Sequence, residues 1–126
     1  MFYSISIIIM KNKNDVLRLM VLLSFSDKEF HENEEEMIKK LSLKHDLPSE
    51  KIDLIFEDIK NSDENFVDMC LETLEKIQDE DTRKTTLTML AQLSMADFIL
   101  HEDEIITLEL IADKWGMLVS SLRSYK

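Results

Sequence analysis

The chain has 126 residues, with 15 Lys and Arg against 26 Asp and Glu, a formal charge of −11. Its 44 % apolar content supplies one core, and the length suits one domain. A single Gly and a single Pro exclude collagen-like and Gly-rich disordered chains, argue against a hairpin-rich β fold, and leave no Gly-rich phosphate loop.

Residues 1–10 form an apolar run that is too short to span a bilayer and has neither a basic start nor a small-residue cleavage site. We read residues 1–13 as an N-terminal extension, frayed or packed on the domain. A true start at Met10 and a membrane-surface anchor are the alternatives, so membrane association is at most peripheral. The apolar run could also pair subunits into a homo-oligomer. Residues 14–126 are read as one helical domain.

Asn14 or Asp15 can cap a helix carrying Val16, Leu19, Met20, Leu22 and Leu23. A second helix is expected from near His31, burying Met37, Ile38 and Leu41. Pro48 suits a helix start, and Ile52, Ile55, Phe56 and Ile59 follow at helical spacing. Ser62 and Asp63 punctuate before the apolar face Phe66, Val67, Cys70, Leu71, Leu74 and Ile77. The polar stretch 78–81 is a cap, after which Leu87, Leu90, Ala91 and Ser94 continue a helix to about Ala96. Ile105, Leu108, Ile111, Ala112 and Trp115 define the next, and Gly116 sits where a left-handed C′ residue belongs. A short last helix is expected over Leu118, Val119 and Leu122. The fold class is therefore all-α, a compact bundle of about six or seven helices. The eight methionines are read as adaptable core, and Cys70 as a small core residue. His45 is read as a helix-surface residue.

One cysteine allows no intrachain disulfide, which with the acidic balance points to a reducing, cytoplasmic compartment. The negative charge repels nucleic acid and anionic lipid and favours cations or basic protein partners.

The most informative feature is internal. Residues 23–47 laid over residues 93–117 share seven identities, at Leu23/Leu93, Ser24/Ser94, Asp27/Asp97, His31/His101, Glu32/Glu102, Glu34/Glu104 and Lys44/Lys114. The offset is 70 positions, and the identities concentrate on a polar corner, Asp-x-x-apolar-His-Glu-x-Glu. Two pseudo-repeated helical hairpins are the expected architecture.

The corner supports two readings. In the first it is a pair of helix starts: His31 and His101 as N-caps, Glu34 and Glu104 at N3 as in a capping box, and Asp27 and Asp97 as turn acceptors. Glu32, Glu102 and Asp103 then complement the helix dipole. In the second it binds a cation. Six acids lie within residues 27–36 and four within 97–104. One corner alone offers too few oxygens for Ca²⁺, which takes about six to eight ligands, or for octahedral Mg²⁺, so both corners would have to cooperate. Zinc through His31 and His101 is the lesser choice, and no EF-hand loop is present. No nucleophile motif occurs, so an enzyme is not expected.

The corner resembles the TerB-like family of tellurite-resistance-associated helical proteins, a fold also found beside DnaJ-like co-chaperone domains. The family pattern is roughly Ala-Asp-Gly-x-Ile-x-x-x-Glu. Ala96-Asp97 with Ile99-Leu100 and Glu104 is similar to it, and Ser26-Asp27 with Phe30 and Glu34 follows less closely. Lys28 and Phe98 replace the glycine. The likeness covers about residues 14–124. It implies a compact helical domain, acidic residues that bind metal, and a place in stress-response assemblies near the inner membrane. Carried over residue by residue, the metal set is Asp27, Glu34, Asp97 and Glu104.

Overall fold

A computed structural model describes residues 11–25, 32–94 and 102–117, apart from the side chains of residues 32, 33, 103 and 104. Six α-helices fill these segments: α1 (Lys13–Ser24), α2 (Glu32–Lys44), α3 (Ile52–Lys60), α4 (Phe66–Glu75), α5 (Glu80–Ser94) and α6 (Glu102–Lys114). A 3-10 turn, Ser49–Lys51, follows Pro48 and leads into α3. The described residues contain no strand, and the helices pack together as an all-α bundle. The expected last helix at residues 118–122 lies outside the described residues.

The first helix is apolar on almost every face. Within residues 16–24 only Arg18 keeps some exposure. An all-round apolar helix has to be covered from all sides, and α1 packs against each of the other five helices. It begins at Lys13, one or two residues before the expected caps. Asn12 precedes it in the left-handed region at φ 55°, without a side-chain cap bond.

The remaining helices are amphipathic, and local bonds set their ends. Ile52 and Ile59 of α3 are buried, Ile55 and Phe56 half-buried, and Asp53, Leu54, Glu57 and Asp58 face outward. The Phe56 ring lies 4.9 Å from that of Phe25, just past α1. Asn65 starts α4, its Oδ1 accepting from the amides of Val67 (2.9 Å) and Asp68 (3.3 Å). Asp79 starts α5 in the same way, its Oδ2 accepting from the amide (3.0 Å) and hydroxyl (2.8 Å) of Thr82. Inside the helices the buried hydroxyls of Ser24, Thr73, Thr86 and Ser94 donate to carbonyls three or four residues back. Met20, Met69, Met89 and Cys70 are buried, as expected of core residues.

The repeat is built into the backbone. α2 and α6 begin and end exactly 70 positions apart, and α1 and α5 both end on the repeated serine. The two hairpins stop alike. Leu47 N–H donates to the Ser42 carbonyl at 2.8 Å, and Met117 N–H donates to the Ala112 carbonyl at 2.8 Å. Between them stand the left-handed residues Asp46 (φ 55°) and Gly116 (φ 68°), giving each helix a Schellman ending.

Burial repeats as well. Val16/Thr86, Leu17/Leu87, Leu19/Met89, Met20/Leu90, Val21/Ala91, Leu23/Leu93 and Ser24/Ser94 are buried in both members of each pair. So are Ile38/Leu108, Leu41/Ile111 and Ser42/Ala112. The packing is reciprocal: α1 lies on α5, α2 lies on α5, and α6 lies on α1. A pseudo-twofold exchange of two hairpins generates this pattern. The exceptions follow from α3 and α4, which pack against α1 and have no such contact with α5. Leu22 is buried where its counterpart Gln92 is exposed. Trp115 is buried, its Nε1 donating to the Leu74 carbonyl of α4 at 3.2 Å, where its counterpart His45 is only half-buried.

Candidate functional site

The direction of the two hairpins decides where their corners lie. Lys11 N–H donates to the Thr82 hydroxyl at 3.1 Å, so α1 and α5 begin side by side. At that same end Lys13 Nζ reaches Asp46 Oδ2 at 3.1 Å, closing the first hairpin. Seventy positions on, the Arg83 guanidinium stacks over the Trp115 ring at 5.5 Å and closes the second. The starts of α1 and α5 and the ends of α2 and α6 thus share one end of the bundle. Ser24, Glu32, Ser94 and Glu102, which flank the two acidic corners, belong to the opposite end.

Of the expected metal set, only Glu34 has a described side chain. Asp27 and Asp97 lie outside the described residues, as do His31 and His101. Glu104 is in the first turn of α6, with its side chain outside the description. Glu34 is 1 % exposed. It occupies the third position of α2, on the face that carries Ile38, Leu41 and Ser42, all buried. A carboxylate taken out of water needs a compensating partner, and Glu34 is engaged rather than free. Its neighbours Glu35 and Glu36 are half-buried and exposed, so the bundle selects one acid of the run and draws it inward. The sequence reading placed Glu34 at the helix start but missed its burial. The spacing 34, 38, 41, 42 carried that signal.

Among the described residues, no group of three or more His, Cys, Asp or Glu side chains is placed to hold a metal ion. A second acidic group lies at the start of α4, away from the repeat. There Glu64 shares a hydrogen bond with Glu72, which raises the Glu64 pKa. Partial desolvation and the charges of Glu72 and Asp68 add to the rise, and Arg18 opposes it. Arg18 itself pairs with Asp58 at 2.7 Å and points a second nitrogen at the Met69 sulfur. It borders an open groove of about 270 Å³ between α1 and α3. The lone thiol is inert by position: burial pushes the Cys70 pKa up to about 12, with Arg18 pulling slightly the other way. His45 is held below its ordinary value, first by burial and then by the adjacent Lys44 charge.

Comparison with protein-family models, with curated proteins and with solved structures finds no match. No helix among the described residues is long and apolar enough to cross a membrane.

Proposed function

We propose that this chain is a non-enzymatic, cytoplasmic TerB-like module whose two acidic corners take a divalent cation together, Ca²⁺ or Mg²⁺ ahead of Zn²⁺. In this reading the module acts as a scaffold or sensor for protein partners in a stress response. The observation that supports it is the side-by-side start of α1 and α5, with which Ser24, Glu32, Ser94 and Glu102, the described residues on either side of the two corners, fall at one end of the bundle. Hard cations need more oxygens than one corner supplies, and a shared end is what cooperation requires. Glu34, buried at that end, adds a further carboxylate to those of the corners. Asp27, Asp97 and Glu104 complete the proposed set.

Calorimetric titration of the whole chain with Ca²⁺, Mg²⁺ and Zn²⁺ tests the reading, read beside the melting temperature. One cation per chain and a rise in melting temperature are expected, both weakened in Asp27→Asn and Asp97→Asn. No heat and no change in melting at millimolar metal removes the cation.

A second reading is a metal-free interaction module that presents its acidic surface to a basic protein. The charge of −11 favours it, as does the ability of both corners to work as helix caps. Its signature is partner binding that weakens with salt and survives chelators.

A further inference from the structure

We draw no further inference here: the strongest candidate, the open groove between α1 and α3 with the exposed Leu54 in its lining, carries nothing because Asp15 and Asp58 offset Arg18 and Lys51 and nothing in the structure shows what covers it.

Discussion

Asp46 and Gly116 occupy the same place in two copies of one helix ending, both left-handed, 70 positions apart. Only glycine adopts that conformation without penalty, and an L-residue loses roughly 1–2 kcal/mol there, less for Asp and Asn. Asp46→Gly is therefore expected to stabilise the chain by about 0.5–1 kcal/mol. The ion pair it removes is largely exposed on the Asp46 side and contributes little. Gly116→Ala should do the reverse and cost about 1 kcal/mol. A Cβ at Gly116 meets nothing within 4 Å, so that cost is one of backbone angle alone. Urea unfolding of both variants checks the pair, and shifts of the same sign would contradict it.

Ser42 gives a second comparison between the halves. Among the described residues its buried hydroxyl has no hydrogen-bond partner, and the repeat places Ala112 at the matching position. A buried polar group without a partner costs about 1–3 kcal/mol. Ser42→Ala should raise the unfolding midpoint in denaturant, by about 1 kcal/mol in free energy, with an unchanged slope. A lower midpoint would show that the hydroxyl has a use.

Asp79 links stability to pH. Its hydrogen bonds from the Thr82 side chain and then the Thr82 amide hold its pKa below the ordinary carboxylate value, with Lys11 adding a smaller pull. A lowered native pKa stabilises the fold above the unfolded-chain pKa, and that contribution is lost as pH falls through the native value. Asp79→Asn keeps an acceptor but cannot titrate. The stability gap between the parent chain and this variant should be widest near neutral pH and close in acid. Thermal melts across that range decide it, and a gap that widens in acid would refute the assignment.

Cys70 should report on opening of the whole bundle. With the thiol buried and its pKa raised to about 12, a disulfide-exchange reagent at pH 8 should leave the native chain almost unmodified. One thiol per chain should react in urea, with a midpoint matching that of unfolding. Rapid labelling without denaturant would mean that α4 opens locally.

Much of this architecture was legible in the residues. The repeat predicted α2 and α6 as equivalent helices because their ends are marked by local chemistry: a polar corner before, a C′ residue after. Gly116 announced its ending, whereas Asp46 did not, since nothing about an isolated Asp demands a positive φ. The start of α1 was missed for the same reason. Asn14 and Asp15 looked like caps, but the helix already begins at Lys13, after a left-handed Asn12 that makes no side-chain cap bond. Asn65 was overlooked beside the louder Ser62 and Asp63, although it alone stands at the distance from which Val67 and Asp68 can donate. At the candidate site, residue type suggested a carboxylate at a helix start. That Glu34 faces inward was written in its spacing to Ile38, Leu41 and Ser42, but a charged residue type masked its place on the apolar face.

The place of α1 at the hub has a consequence for how this chain matures on the ribosome. It is the first of the six helices to be synthesised, yet its seat is completed by α5 and α6, which are made last. An apolar rod of this kind must wait, partly uncovered, until α5 and α6 have left the exit tunnel. During translation its uncovered apolar faces are open to a chaperone.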